Sequence, residues 1–482
     1  MSTTRKALAL SFLDRYSGLV IHTASSMVIA RLLTPSQIGV YSVTMVLLGF
    51  VATFRDLGAG QYLVQNKALT EEKMRATWSV QLGLGLFFAA LVLAAAAPVA
   101  GFYGEPQMVD IMLVLALNFA ITPFSAYPYS WLVREMRFGS IAGMRFASAL
   151  MHGATAIGLA WLGYGPISLA WANALSTVAA IVTVWLVARP SLPWKPIMRG
   201  IGDVISFGSK LTAASLLNTL AKGAPELLLG KLQNMTQAGL FSRGQGLVAM
   251  FQNLVLDAVN SVALPYFARQ SREARDLGVS FLAAMELITG LGWAFFSAIA
   301  LMAYPVIRIL YGPQWDDAVD AARWLAVASA ISTPAAICSS PLIGIGAIND
   351  VIKTTLLTTI ATLAATAAGA LSGLLALSQC LIAAAALTSA LWMYTVRKHI
   401  PFTPGALLAA WGKSLLVAAG ASAGSIAVIL NWGWRPGDLF AATLIAGLGG
   451  ALGALLMARL SGHQLWRETE RLWSARFGKR PA

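Results

Sequence analysis

Ala30-Arg31-Leu32-Leu33-Thr34-Pro35-Ser36-Gln37-Ile38-Gly39-Val40-Tyr41-Ser42 returns, altered but in register, as Gly230-Lys231-Leu232-Gln233-Asn234-Met235-Thr236-Gln237-Ala238-Gly239-Leu240-Phe241-Ser242. A basic residue, Leu, Gln, Gly, an aromatic and Ser hold the same places 200 residues apart. Further along, Pro98-Val99 and Tyr103-Gly104 recur as Pro305-Val306 and Tyr311-Gly312, and Thr122-Pro123 recurs as Thr333-Pro334. Apolar segments resemble one another by chance. Loop residues shared in a consistent order do not, so the chain contains an internal duplication.

What is duplicated is membranous. Charged residues make up 11% of the chain and apolar ones 57%, and the mean hydropathy is +0.70. A soluble domain carries about 25% charged residues, so this chain lacks the polar surface to live in water. Crossing about 30 Å of hydrocarbon takes roughly 20 mainly apolar residues. Stretches of that kind fall at 9–30, 38–64, 77–102, 108–131, 141–162, 167–188, 204–229, 238–267, 280–304, 319–345, 352–374, 378–396, 406–430 and 438–459. The expected fold is therefore an all-α polytopic membrane protein of about fourteen transmembrane helices. Each repeat holds six spans, an even number, so both enter the membrane in the same direction. That predicts two six-helix lobes, 1–200 and 201–400, related by a pseudo-two-fold along the membrane normal with a cavity between them. Spans over 401–460 add two extra helices, and 461–482 forms a tail. The opening Met1-Ser2-Thr3-Thr4-Arg5-Lys6 runs into apolar sequence without a small-residue cleavage site, which reads as an uncleaved first helix.

The net charge of +14 follows topology. With the N-terminus inside, the loops expected to be cytoplasmic hold 24 of the 34 Lys and Arg residues, the opposite side holds 5, and 5 lie inside spans. Such a bias is the positive-inside pattern, and it places both termini in the cytoplasm. It also removes nucleic acid as a partner. In the tail, Leu465, Trp466, Leu472, Trp473 and Phe477 alternate with arginines, an apolar stripe suited to lying on the cytoplasmic leaflet among membrane lipids.

Chemistry-bearing motifs are absent. Cys338 and Cys380 both sit in apolar segments and read as packing residues. The four histidines, 22, 152, 399 and 463, have no metal-like spacing. Gly412-Lys413-Ser414 resembles the end of a nucleotide loop, but Leu407 stands where that loop needs Gly. Gly447-Leu448-Gly449-Gly450-Ala451-Leu452-Gly453 reads as a surface for close helix packing. Neither an enzyme nor a nucleotide-driven pump is expected, and no cofactor.

Charges inside spans are costly and therefore mark functional positions by default. They are Asp14, Arg15, Arg55, Asp56, Lys210, Lys222, Glu226, Arg243, Asp257 and Glu286. All but Glu286 lie in the first two spans of either repeat, where an interlobe cavity would be lined.

Ala30-Arg31-Leu32-Leu33-Thr34-Pro35 with Gly39-Val40-Tyr41 resembles the signature at the end of the first span of polysaccharide flippases. Asp56-Leu57-Gly58-Ala59-Gly60 with Leu63-Val64-Gln65, Phe102-Tyr103-Gly104, and Phe207-Gly208-Ser209-Lys210-Leu211 are similar to the same group. The family is that of Wzx-type oligosaccharide-lipid flippases, in the multidrug/oligosaccharidyl-lipid/polysaccharide exporter superfamily. The resemblance implies movement of an undecaprenyl-pyrophosphate-linked oligosaccharide from the cytoplasmic to the periplasmic leaflet of the inner membrane, for surface polysaccharide such as exopolysaccharide or lipopolysaccharide O-antigen. A polysaccharide polymerase and a chain-length regulator are the partners it implies.

For that substrate Arg15, Arg55 and Arg243, with Lys222 and Lys210, are the candidate pyrophosphate contacts, because a guanidinium can give a phosphate two hydrogen bonds while staying charged. Asp14, Asp56, Glu226 and Asp257 are the candidate sites for proton or sodium coupling. A lipid II flippase shares nearly every feature. A cation-coupled multidrug exporter would want an acidic or aromatic pocket, against the basic majority here. A membrane-embedded glycan polymerase would need a large periplasmic loop, and the expected ones stay within about fifteen residues.

Overall fold

A computed structural model describes residues 18, 20–66, 70–187, 193, 195–273, 275–435 and 437–477. Among the described residues the secondary structure is helical, without strands. The chain divides into two compact units, Met1–Gly239 and Leu240–Ala482.

The first unit holds α1 (Val20–Leu32), α2 (Pro35–Asp56), α3 (Ala59–Gln65), α4 (Glu71–Tyr103), α5 (Gln107–Ile121), α6 (Pro123–Arg134), α7 (Phe138–Trp161), α8 (Ile167–Val187) and α9 (Ile201–Leu232). α10 (Met235–Phe251) begins at the division. After it the second unit holds α11 (Asp257–Arg272), α12 (Leu277–Leu310), α13 (Val319–Ser332), α14 (Ser339–Gly344), α15 (Ile348–Ala370), α16 (Leu374–His399), α17 (Pro404–Asn431), α18 (Leu439–Leu460) and α19 (Gln464–Phe477). α9, the first span of the second repeat, packs against α2 within the first unit.

Ten helical segments are long and apolar enough to cross a membrane, or eleven if α5 and α6 count as one bent span. α7 and α9 have the length, 24 and 32 residues, but are less apolar, and α9 carries Asp203, Lys222 and Glu226. The multi-pass all-helical architecture stands; of the fourteen spans expected, ten or eleven are long and apolar enough among the described residues. Large apolar side chains stay exposed along the spans, among them Leu86, Phe87 and Leu91 of α4 and Leu444, Leu448 and Leu452 of α18. Helices with apolar exteriors of this extent suit lipid, not water.

The repeated motif is a helix start. Thr34 accepts from the Gln37 amide at 3.3 Å while the Gln37 side chain accepts from the Thr34 amide at 3.0 Å, a capping box closed by Pro35 at the first helical position. In the second copy Asn234 accepts from the Gln237 amide at 2.9 Å. The glycines permit a reciprocal contact within the first unit. A Cβ on Gly39 would lie 1.7 Å from the Met235 carbonyl oxygen, and one on Gly239 2.0 Å from that of Pro35. Thr122-Pro123 and Thr333-Pro334 each mark a break. The first bends α5 against α6 by 45°, and the second opens the 3₁₀ turn Thr333–Ile337 between α13 and α14. Proline has no amide hydrogen to continue the ladder. Each break is approached by a glycine of a neighbouring helix, Gly85 of α4 at Pro123 and Gly292 of α12 at Thr333.

The glycine run of α18 packs closely, as expected. Cβ atoms on Gly450 and Gly453 would sit 2.4 and 2.2 Å from carbonyl oxygens of α17. Cys338 is buried, Cys380 half-buried, and both are free thiols. Between α15 and α16 the turn falls at Leu371–Gly373, with Gly373 at φ 103°.

α19 is seated by a buried polar cluster. Glu286 of α12 accepts from the Gln464 amide at 2.7 Å, which caps the start of α19, and lies 3.5 Å from Lys413 of α17. His463 is fully buried. Its Nδ1 accepts from the Leu465 amide at 3.0 Å, so the ring hydrogen sits on Nε2, toward the Ser414 hydroxyl at 3.2 Å. Burial pushes the His463 imidazole below its ordinary value, Lys413 pushes the same way, and Glu286 opposes them. A second proton would point at the Leu465 N–H, so the seat needs the neutral ring. With the seated value depressed, the seat is fully stable above the free imidazole value near 6.5 and weakens as pH falls below it. Amide exchange over Leu465–Arg471, corrected for intrinsic rate, is expected to lose protection between about pH 7.5 and about pH 5.5. His463→Gln should flatten that dependence. Equal protection at both values in the unaltered protein would contradict the assignment.

Candidate functional site

Within the first unit a cavity of about 630 Å³ opens where two spans lose regular structure. α2 ends at Leu57, with φ 33°, and Gly58 follows at φ 59°, both left-handed. Gly58 adopts that geometry freely and Leu57 at a cost. Beyond the turn, α3 is only seven residues long. Opposite it lies the α5–α6 break at Thr122-Pro123. Gly60 of α3 faces Ser130 of α6, whose Oγ would be 2.5 Å from any Cβ there. Arg134 fixes the arrangement from below α3: its Nη1 donates to the carbonyls of Leu63 and Asn66, both at 2.7 Å. Those are carbonyls that the end of a helix leaves without partners.

Seventeen residues line the cavity, and the only ionised side chains among them are Arg55 and Asp56. Arg55 donates to Asp56 Oδ1 through Nε at 2.9 Å and through Nη2 at 2.6 Å. Its guanidinium lies over the Phe119 ring, 5.0 Å from the centroid. The Arg55 side chain is 14% exposed and that of Asp56 64%, so the cation is held inward and the carboxylate faces the open volume. Nine of the remaining lining residues carry a hydroxyl or a carboxamide, including Thr53, Gln61, Gln65, Gln81, Ser130 and Thr212. Such a surface offers many donors and acceptors and little net charge.

Of the residues expected to form the site, Arg55 and Asp56 are brought together here. Asp14 and Arg15 lie outside the described residues, as does the Lys210 side chain. Lys222 and Glu226 lie one turn apart on α9 in the same unit, Lys222 exposed and Glu226 half-buried, and neither lines this cavity. Arg243 and Asp257 belong to the second unit. The Arg243 guanidinium lies between Tyr311 and Trp315, 5.3 and 5.4 Å from their centroids, a half-buried cation–π setting. Asp257 follows a π-helical turn, Gln252–Leu256, and accepts from Gln252 at 3.3 Å. A π turn breaks the regular ladder of this span, so Asp56 and Asp257 both stand at helix breaks. Glu286 belongs to the cap of α19. Charge within a span does not point to the uncharged lining residues. The available signal for them is Gln81, a glutamine within an apolar span.

Comparison with known proteins fits this architecture. Residues 28–320 match the family described as "Polysaccharide biosynthesis protein". A succinoglycan biosynthesis transport protein of Rhizobium meliloti (strain 1021) is 22% identical over 319 residues, covering 66% of this chain and 65% of the relative. A teichuronic acid biosynthesis protein of Bacillus subtilis (strain 168) is 22% identical over 283 residues, covering 58% of each chain. The chain thus spans less than two thirds of the length of these relatives. Among solved structures, a lipid II flippase in an inward closed conformation superposes with a TM-score of 0.74 at 12% identity, covering 94% of this chain and 98% of that one. An inward-facing multidrug resistance transporter of the MATE family gives 0.62 at 16% identity, covering 80% and 97%. This chain has the same fold as these two structures.

Proposed function

We propose that this chain, which belongs to the polysaccharide biosynthesis protein family through its residues 28–320, is a flippase that carries an undecaprenyl-pyrophosphate-linked oligosaccharide from the cytoplasmic to the periplasmic leaflet. The observation that carries this reading is the cavity itself. It is a polar volume of about 630 Å³ set among membrane-length apolar helices. Polar groups among such helices are expensive unless something polar uses them. The substrate has a glycan, a diphosphate and a lipid tail; the first two need such a volume and the third does not.

In this proposal both termini are cytoplasmic, the membrane is the bacterial inner membrane, and fourteen spans form lobes over 1–200 and 201–400 with 401–460 added outside them. Arg15, Arg55 and Arg243, supported by Lys222 and Lys210, hold the diphosphate in turn as the lobes alternate. Outward movement of the anion is favoured by an inside-negative potential, by roughly 2.3 kcal/mol per charge per 100 mV. Asp14, Asp56, Glu226 and Asp257 supply the coupling site for a proton or sodium ion on the return step. The chain itself breaks no covalent bond, and a polysaccharide polymerase and chain-length regulator act on what it delivers.

The test is delivery. In vesicles holding the purified chain, lipid-linked oligosaccharide placed in the inner leaflet should become digestible by a membrane-impermeant glycosidase outside. Digestion no greater than in protein-free vesicles would refute the flippase reading.

A further inference from the structure

We infer that the cavity of the first unit is the seat of an uncharged, hydroxyl-rich glycan, and that Gln81 is the residue that grips it. The inference rests on the transport reading above and narrows its substrate. Gln81 projects from α4 into the lining and is 8% exposed. Its Oε1 is buried and accepts no hydrogen bond from the protein. Buried amide oxygens are almost always satisfied, because leaving one without a donor forfeits its hydration for nothing. Gln81 lines the cavity, so a turn of its carboxamide would bring that oxygen to a donor supplied from the open volume. A sugar hydroxyl is suited to it, since it can donate to the carboxamide oxygen and accept from its NH₂.

Charge selects the kind of sugar. Arg55 and Asp56 are the only ions on the described lining and are bonded to each other, so together they present no net charge. Arg55 spends its Nε and one terminal nitrogen on Asp56. The more exposed partner is the carboxylate. When Arg55 turns to the diphosphate, as the transport reading has it, the ion left beside the glycan is the Asp56 carboxylate, and an acidic sugar there would meet a like charge in a partly desolvated site. A neutral glycan meets no such penalty. Gly60 lets Ser130 Oγ close against the α3 backbone at the cavity wall. A volume of about 630 Å³ falls within the range of small-ligand sites.

The experiment uses the full chain in nanodiscs and three probes: undecaprenyl pyrophosphate without sugar, the same carrier bearing a neutral tetrasaccharide, and the same bearing a tetrasaccharide with one uronic acid. The neutral glycan is expected to tighten binding at least tenfold over the bare carrier, and the acidic one to tighten it less. Gln81→Leu should reduce the neutral increment to twofold or below while bare-carrier affinity holds. Gln81→Met, closer in shape, serves if Gln81→Leu does not fold, and Gln81→Asn should restore part of the increment. A neutral glycan that adds nothing, an acidic one that binds tighter, or an increment unchanged in the leucine and methionine variants would each overturn the glycan seat. A bare carrier that binds while sugar adds nothing strikes the glycan seat alone. A bare carrier and a glycan that both fail to bind strike the transport reading with it.

Discussion

Arg55→Ala is expected to lower delivery of lipid-linked oligosaccharide roughly 10- to 100-fold at matched levels of folded protein. That range corresponds to losing a hydrogen bond to a charged group, about 1.5–3 kcal/mol. Arg55 is the cation of the cavity, held inward by Asp56 and by the Phe119 ring. Arg55→Lys keeps the charge but loses the planar fork that reaches two oxygens at once, so delivery should fall to an intermediate value. Asp56→Asn releases the guanidinium from its internal partner without changing the shape of the pair. If Arg55 serves only to hold Asp56, Arg55→Ala will reduce the amount of folded protein and leave delivery per molecule intact. Unimpaired delivery in the alanine variant would take Arg55 out of the substrate path.

Gly208→Ala is expected to remove most of the stable protein. A Cβ at this position of α9 would lie 1.6 Å from the Leu57 carbonyl oxygen and 2.6 Å from its carbon. Backbone cannot swing aside as a side chain can, so the added methyl must push α9 away from the turn that joins α2 to α3. Overpacking costs about 1–3 kcal/mol when side chains can adjust, and here the obstacle is main chain already held at a left-handed φ. A loss of about 3 kcal/mol or more is therefore expected, a large part of a typical protein's stability. Gly202 of the same helix has no atom within 4 Å of an added Cβ. Gly202→Ala should be neutral, or stabilising by up to about 1 kcal/mol through helix propensity. Thermal unfolding followed by fluorescence-detected size exclusion separates the two. A Gly208→Ala protein as stable as Gly202→Ala would mean that α9 does not rest on the turn.

Much of the architecture is legible in the amino-acid sequence, because a membrane imposes its rules on composition. Hydrocarbon demands long apolar helices, and most of the stretches marked by hydropathy coincide with helices to within a few residues at their ends. The repeat carries its own local geometry. Thr34 and Gln37 are a capping box in any setting, Asn234 and Gln237 preserve half of it, and Thr-Pro inside an apolar run breaks a helix in both copies. These are short-range effects, settled within four residues along the chain, and a sequence states them outright.

The site is legible only in part, and for the opposite reason. Charge within a span stands out against an apolar background, which marks Arg55 and Asp56, but their bonding to each other depends on a turn at Leu57-Gly58 that hydropathy treats as mid-span. Arg243 reads as another candidate pyrophosphate contact, yet tertiary packing sets it against Tyr311 and Trp315, about 70 residues downstream. Glu286 stands out as a charge within a span and proves to be the cap of α19, almost 180 residues away. Gln81, Ser130 and Gly60 give no strong signal, since a lone amide, hydroxyl or glycine in a span usually packs. By itself, then, the sequence determined that this is a duplicated, all-helical membrane protein, because hydropathy and capping act locally. Which polar groups share a cavity, and which charges cancel there, only the tertiary structure decided, because that depends on where broken helices bring distant residues together.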